Sequence, residues 1–137
     1  MLVSTKGRYA LRLMTDLAER NSDEYVAIKA VAERQEISLK YIERIMPSLV
    51  SAGLVEGIHG KGGGYKLTRK PEEYTIGEIL RAAEGSVAPI SCLECGAAPC
   101  PRKDQCRTIG MWTELSDVIN DFLDGKTLKD LVKKSST

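Results

Sequence analysis

Residues 28–68 carry the pattern that most constrains what this chain can fold into. Apolar residues recur at helical spacing from Ile28 through a short helix and, after a three-residue break, from Ser38 through a longer one. Two short strands, 54–59 and 65–68, follow and are separated by a glycine-rich run. Two helices joined by a tight turn and followed by a hairpin are the layout of a winged helix-turn-helix. We therefore predict a mainly α-helical fold with a small β-hairpin.

The second helix of the pair has an apolar and a polar face. Ser38 is the predicted N-cap and Gly53 the predicted C-cap. Pro47 lies inside the helix and predicts a kink or local break near 43–46, because proline removes a backbone hydrogen bond. The residues predicted to face inward are Leu39, Ile42, Ile45, Met46, Leu49 and Val50, and those predicted to face outward are Lys40, Tyr41, Glu43, Arg44 and Ser48.

The polar face offers the chemistry that DNA requires. In a helix-turn-helix the second helix, here within 28–51, enters the major groove. Lys40 and Arg44 can neutralise phosphates or donate to guanine. Ser38 and Tyr41 can donate to phosphate oxygens. Phosphate would repel the carboxylate of Glu43, so this residue suits a contact with the amino group of cytosine and the rejection of other bases.

The run 59–64 is predicted to be the tip of a wing, within the hairpin 54–68. His59 and Lys61 supply positive charge or polarity, and the glycines permit close approach to DNA. A phosphate-binding loop is the alternative, but no helix begins after the run and it lacks the GK[ST] ending. Plain packing of two helices is a second alternative to DNA binding.

The remaining periodicity predicts four more helices. The first spans about 5–20, with Lys6, Arg8, Arg12, Asp16 and Glu19 away from its apolar face. A capping box at 75–78 opens a helix that ends at Gly85, and Thr127 caps a last short helix. Between them, one apolar row is predicted to form a dimerisation helix, with packing onto the first helix as the alternative. This row comprises Trp112, Leu115, Val118, Ile119 and Phe122.

All four cysteines, Cys92, Cys95, Cys100 and Cys106, fall within fifteen residues. No apolar run approaches the roughly 18 residues that cross a bilayer, and the N-terminus lacks the apolar region of a signal peptide. We therefore expect a cytoplasmic protein, in which clustered thiols bind metal or react more often than they form structural disulfides. The predicted parts are a DNA-binding domain at 1–84, a cysteine loop at 85–106 and a dimerisation region at 107–137.

The spacing Cys-x2-Cys-x4-Cys-x5-Cys can supply a full set of soft thiolates to an iron-sulfur cluster. Arg102, Lys103 and Arg107 lie beside these thiols and favour the thiolate form. Zinc on four thiolates is the alternative, although only Cys92 and Cys95 form the usual CxxC pair. An enzyme or redox carrier is disfavoured, because no general base lies near the cysteines in sequence and no cofactor motif is present.

The charge is unevenly distributed. Residues 1–70 carry 12 Lys or Arg and 8 Asp or Glu, a net of +4, whereas 71–137 carry 8 and 11, a net of −3. A basic first half joined to an acidic second half suits a nucleic-acid-binding part attached to a part with another role.

Five motifs, in order, closely resemble the IscR, NsrR and CymR family of bacterial winged-helix regulators, and are most similar to its IscR type. They are STKGRYA at 4–10, ISLKYIE at 37–43, GLV at 53–55, GKGGGY at 60–65 and IGEI at 76–79. The likeness extends through WTELSD at 112–117.

The resemblance implies a homodimer that binds double-stranded operator DNA and takes no small-molecule substrate. It implies an iron-sulfur cluster on Cys92, Cys100 and Cys106, with 2Fe-2S favoured and 4Fe-4S permitted, and a repressor of iron-sulfur cluster biogenesis genes. The candidate DNA-binding residues are Lys6, Ser38, Lys40, Tyr41, Glu43, Arg44, His59 and Lys61.

The chain departs from the IscR type at the predicted cluster. The gap from Cys92 to Cys100 is two residues longer, and Cys95 lies within it as a candidate fourth ligand. The histidine that some IscR proteins use falls at Ile109, and the acidic ligand of NsrR-type proteins falls at Arg8. The alternative functions are a repressor without a cluster, controlled by a partner or by thiol oxidation, and a relative that senses nitric oxide or redox state.

Overall fold

The computed structural model describes residues 3–20, 24–58, 60, 63–94, 98 and 100–132 and confirms a mainly helical fold with one antiparallel hairpin. The helices and strands are α1 (Thr5–Arg20), α2 (Ile28–Gln35), α3 (Leu39–Ser51), β1 (Val55–Ile58), β2 (Gly64–Leu67), α4 (Ile76–Glu84), α5 (Ile109–Asp124) and α6 (Leu128–Leu131). Short 3-10 turns occupy Pro71–Glu73, Ser91–Leu93 and Lys103–Gln105.

The break between α2 and α3 is a tight turn, as the sequence predicts. Glu36 caps α2 in the left-handed conformation, with φ of 55°. The Ser38 hydroxyl then accepts a hydrogen bond from the Tyr41 amide at 3.3 Å and caps α3. Helix α3 runs unbroken through the exposed Pro47, so the predicted local break is absent. Its C-cap is Ala52 rather than Gly53, which follows with φ of 74°.

The buried stripe of α3 is narrower than predicted. Ile42, Ile45, Met46 and Leu49 are buried, but Leu39 is 37% and Val50 is 42% exposed. At 3.6 residues per turn, these two residues lie at the edge of the stripe rather than at its centre. The prediction that Leu39 and Val50 face inward was therefore wrong.

The main core is formed by residues of α1, α2, α3, α4 and β1, together with Tyr74. The Tyr74 side chain is fully buried, and its hydroxyl donates to the Leu54 carbonyl at 2.7 Å while accepting from the amides of Thr68 and Arg69. Helix α6 also belongs to this core, because Leu128 is fully buried within it.

The hairpin is tied to the segment before α2. Val26 and Tyr65 exchange both backbone hydrogen bonds, at 2.8 and 2.9 Å, and form a single isolated bridge. A Cβ on Gly64 would approach the Val26 carbonyl oxygen to 2.2 Å. Only glycine fits this position, and the hairpin is thereby held against α2.

Helix α5 lies against α4, and Leu11 of α1 packs on the same small apolar cluster as α5. Ile119 and Leu123 pack on a small cluster that contains Ile76, Leu80 and Val87. The Arg81 guanidinium donates to both carboxylate oxygens of Asp124, at 2.8 and 3.0 Å, and to Asn120. No described helix is long and apolar enough to span a membrane.

Candidate DNA-binding surface and cysteine loop

The N-terminal half of α3 presents the predicted DNA-binding side chains together. Ser38, Lys40, Glu43 and Arg44 are exposed within two turns of helix. Lys6, in the first turn of α1, is half-buried. His59 and Lys61, predicted at the wing tip, lie outside the described residues.

Tyr41 is a packing residue as well as a candidate contact. Its ring meets the Tyr9 ring of α1 edge to face, with centroids 5.2 Å apart and planes at 76°. The Arg12 guanidinium lies over the Tyr9 ring, 5.4 Å from its centroid. The first turn of α3 is therefore fixed against α1 by an aromatic pair.

An ion pair between the buried Asp16 and the partly exposed Arg34, behind the turn, was missed by sequence reasoning. Asp16 is 2% exposed although its sequence position was interpreted as solvated. Its carboxylate accepts from the Arg34 guanidinium at 2.6 and 3.1 Å and from the side-chain amide of Gln35 at 2.9 Å. Burial raises the pKa of Asp16, but the hydrogen bonds from Arg34 and Gln35 outweigh burial and hold this pKa below its ordinary value. Its place beside Leu13 on α1 was the only sequence signal.

A second bidentate pair supports the hairpin. The Arg69 guanidinium donates to Glu78 at 2.7 and 3.1 Å and lies 4.7 Å from the Tyr74 ring centroid. The hydrogen bonds from Arg69 lower the pKa of Glu78, while burial opposes them. Strand β2 is thereby joined to α4.

Glu84 joins the end of α4 to the start of α1. Its carboxylate accepts from the Ser4 amide at 3.0 Å, from the Ser4 hydroxyl and from the Gly7 amide at 2.7 Å. A Cβ on Gly7 would lie 2.9 Å from a Glu84 oxygen. The carboxylate satisfies amide groups that a helix start leaves unpaired. The cysteine loop begins at Gly85, so it follows directly in sequence the residue, Glu84, that caps the start of α1.

The three described cysteines, Cys92, Cys100 and Cys106, are all exposed, and Cys95 lies outside the described residues. Among the side chains that the structure describes, no three Cys, His, Asp or Glu groups are close enough together to hold a metal ion. Their arrangement in this structure is therefore not itself a ligand cage.

The donor chemistry nevertheless fits an iron-sulfur cluster. A hydrogen bond with the Thr108 hydroxyl, 3.5 Å away, lowers the pKa of the Cys106 thiol, and backbone amides of Thr108 and Ile109 and the charge of Arg102 act in the same direction. The thiolate is the form that ligates iron. Soft, exposed sulfur donors in a loop without regular helix are the ligand type that such clusters use.

A protein-family model described as Rrf2, iron-dependent transcriptional regulator, matches residues 3–134. The transcriptional regulator IscR of Aliivibrio salmonicida is 39% identical over 132 residues, which are 96% of this chain and 77% of that protein. The regulator CymR of Bacillus subtilis is 36% identical over 131 residues, which are 96% of this chain and 89% of that protein.

Solved structures of both kinds are similar to this fold. The structure of B. subtilis CymR, described as a global cysteine regulator, superposes with a TM-score of 0.76 at 33% identity and covers 99% of each chain. That of T. potens IscR gives a TM-score of 0.74 at 34% identity, covering 96% of this chain and 85% of that one. The chain is thus about equally similar to an IscR and to a CymR.

Proposed function

Since the chain belongs to the Rrf2 family of DNA-binding transcriptional regulators, we propose that it is a homodimer that binds operator DNA with α3 in the major groove and is controlled by an iron-sulfur cluster. The observation that carries the DNA-binding proposal is the exposed polar row on the first two turns of α3, held rigidly from behind by α1. The N-terminal residues of a recognition helix are those that reach base edges.

The exposed side chains divide by chemistry. Lys40 and Arg44 contact phosphates or guanine, and Ser38 and Tyr41 contact phosphate oxygens. Glu43 accepts from the amino group of cytosine. Lys6 in α1, and His59 and Lys61 at the wing, add contacts to the backbone of the flanking groove.

Leu39 extends this reading surface with an apolar contact. It is 37% exposed in the first turn of α3 and lies four residues before Glu43, so the two side chains share one edge of the helix. An apolar side chain at this place can recognise the methyl group of thymine. Leu39 and Glu43 together favour neighbouring pyrimidines.

The dimer interface is assigned to the outer face of α5. Met111, Leu115, Val118 and Phe122 recur at spacings of four, three and four residues and are 53%, 40%, 64% and 61% exposed. Of the row predicted from the sequence, Leu115, Val118 and Phe122 belong to this face, whereas Trp112 is half-buried and Ile119 packs toward α4. That spacing is the seam along which two helices pack against each other. The same row on a second copy of the chain can pack against it in a two-fold symmetric dimer. Such a dimer would place two α3 helices on one duplex.

The cluster is assigned to Cys92, Cys100 and Cys106, with Cys95 as the candidate fourth ligand and 2Fe-2S as the favoured form. A bound cluster supplies a group whose presence depends on iron and oxidant levels. Ligation would order a loop that begins beside Glu84 and ends at α5. A ligand that orders one arrangement shifts DNA binding by its differential affinity for that arrangement. The proposed targets are genes of iron-sulfur cluster biogenesis, which the protein would repress. The proposed location of the protein is the cytoplasm.

A second candidate is a cysteine-responsive or thiol-responsive repressor without a cluster. The observation that favours it is the exposure of all three described thiols, without a ligand cage among the described residues. In this candidate, control comes from oxidation of exposed thiols or from a protein partner.

Purification without air, followed by iron, zinc and acid-labile sulfide analysis and a visible spectrum, separates the candidates. The cluster proposal predicts a coloured protein with iron and sulfide in equal amounts. It also predicts that Cys92→Ala, Cys100→Ala and Cys106→Ala each lose the colour. A colourless, iron-free protein with fully regulated operator binding would support the second candidate, and one zinc ion per chain would support a structural metal.

A further inference from the structure

One face of α1 carries a row of three side chains that contact the helix-turn-helix at three different points. Tyr9, Arg12 and Asp16 follow one another at spacings of three and four residues, which align them along the helix. Tyr9 meets Tyr41 in the first turn of α3. Arg12 contacts Gln35, and Asp16 contacts Arg34 and Gln35, which are the last residues of α2.

The end of α2 is held by two charged side chains of α1, Arg12 and Asp16. The Arg12 guanidinium donates to the Gln35 carbonyl and, at 3.3 Å, to the Gln35 side-chain oxygen. The side-chain amide of Gln35 donates in turn to Asp16, which also accepts two hydrogen bonds from Arg34. A cation at a helix C-terminus satisfies carbonyl groups that the helix leaves unpaired.

This network fixes the turn from which α3 starts. Only Glu36, Ile37 and Ser38 separate Gln35 from the first residue of α3, and Glu36 is held in the left-handed conformation. A rotation of the α2 end would therefore be passed directly to the direction of α3.

Asp16 is the one charged side chain that is buried among the described residues. The Arg34 side chain is 33% exposed, so only the Asp16 half of the pair is desolvated. Desolvation of Asp16 offsets part of the attraction, and the pair is weak evidence for stability. In some proteins such a pair instead selects one arrangement of the surrounding elements over others. The position of this pair, behind the turn, matches that role.

We propose that Arg12, Asp16 and Arg34 are positioning residues that set the direction of α3 and thereby the discrimination between operator and other DNA. The proposal rests on the DNA-binding function proposed above. Non-specific binding depends on phosphate charges and tolerates small rotations, whereas base contacts require aligned donors and acceptors. A misdirected α3 should therefore lose sequence preference before it loses affinity for DNA in general.

Three matched Arg→Lys substitutions test this proposal, because each keeps the positive charge and removes a forked donor. Arg34→Lys and Arg12→Lys change the network, whereas Arg81→Lys changes the similar fork between α4 and α5 and is the control. Fluorescence anisotropy at one salt concentration gives the dissociation constants for an operator found by in vitro selection and for a scrambled duplex of equal length. Thermal melts of the three variants accompany the titrations.

We expect the ratio of the scrambled-duplex constant to the operator constant to fall about tenfold or more in Arg34→Lys, which is the scale of one base contact. In Arg12→Lys the ratio should fall about threefold, which is less than one full base contact. Binding to the scrambled duplex should stay within about twofold. Arg81 joins α4 to the proposed dimer helix, so sedimentation velocity first shows that Arg81→Lys remains dimeric. As a dimer it should leave the ratio unchanged even if its melting temperature falls as far. Arg12 is exposed, so Arg12→Lys decides the matter if Arg34→Lys does not fold.

Parallel losses on both duplexes, or an unchanged ratio in Arg12→Lys and Arg34→Lys, would overturn the proposal and leave the network a purely structural role. A wild-type protein that shows no preference for any sequence would instead remove the proposed function itself. The two failures are therefore distinguishable.

Discussion

The part of the chain that contains α1 to α4 and the part that contains the cysteine loop and α5 differ in how completely they are packed. Helix α1 has seven buried residues and α5 has none, although both are 16 residues long. The first part buries most of its apolar groups and pairs the one charge that is buried among its described residues. The second leaves an apolar row and three thiols in contact with solvent.

The first part therefore buries its core within one chain, whereas the second keeps an apolar surface and thiols that are free to bind a partner or a ligand. Large apolar side chains at regular spacing cost free energy in water, and their burial is a main source of association energy. Exposed thiols are available to ligands. We therefore expect changes in the first part to act on stability and recognition, and changes in the second to act on assembly and control.

The largest effect is expected from a charge placed in the apolar row. Phe122→Asp should convert the dimer to a monomer, because a carboxylate cannot be buried unpaired in the interface. Operator affinity should fall by a factor on the order of 10² to 10⁴, since the two half-sites are then bound independently. Analytical ultracentrifugation and anisotropy measure the two effects.

Thr113→Asp is the matched control, because Thr113 is exposed on α5 outside the apolar row. It should remain dimeric and keep its operator affinity. A Phe122→Asp variant that still sediments as a dimer would show that α5 is not the seam.

The next largest effect is a difference between the two parts in how far a truncated side chain lowers the free energy of unfolding. Leu49→Ala, in the fully buried stripe of α3, should lower the free energy of unfolding by about 2–5 kcal/mol through loss of burial and creation of a cavity. Val118→Ala, on the open face of α5, should change it by less than about 0.5 kcal/mol in the monomeric Phe122→Asp background. Urea titrations of both variants measure the difference. Equal losses would contradict the contrast between the two parts.

Acid should act on the first part through Asp16. Because the folded-state pKa of Asp16 is below its ordinary value of 3.8, its contribution to stability is fully present above that value and is lost as pH falls through the folded-state pKa. The stability difference between wild type and Asp16→Asn should therefore be constant near neutral pH and shrink below about pH 4. Urea unfolding from pH 3 to pH 7 measures it, and a difference that grows on acidification would have the wrong sign.

The smallest effect concerns one methyl group of the operator. Replacing the thymine that contacts Leu39 with deoxyuracil removes that methyl group and should weaken binding about fourfold, the value of one buried methylene. In Leu39→Ala the same replacement should have almost no effect. Anisotropy titrations of the four combinations give the coupling, and equal effects of deoxyuracil in both proteins would exclude the contact.

The helices and the hairpin could be predicted from sequence because their signals are local. The periods of 3.6 and 2 residues, the Ser38 and Thr75 caps and the glycine run all act within a few residues of themselves. The contacts that orient these elements could not be predicted in this way. Glu84 and Ser4 are 80 residues apart in sequence, and Asp16 and Arg34 are 18 apart.

The candidate site was predictable to a similar depth. The outward residues Lys40, Glu43 and Arg44 follow from helix periodicity, but the exposure of Leu39 depends on what covers the first turn of α3, which only the fold decides. For the cysteines, the spacing predicts the ligand type. Their convergence depends on loop conformation, which spacing does not determine.

Control by a cluster is tested most directly by the operator affinity of one anaerobic sample before and after removal of its iron with a chelator, with iron and sulfide measured in both states. The protein should be a dimer in both states, its operator dissociation constant should change with iron, and Cys106→Ala should show no such change. Identical binding curves for the iron-loaded and iron-free dimers would contradict control by a cluster.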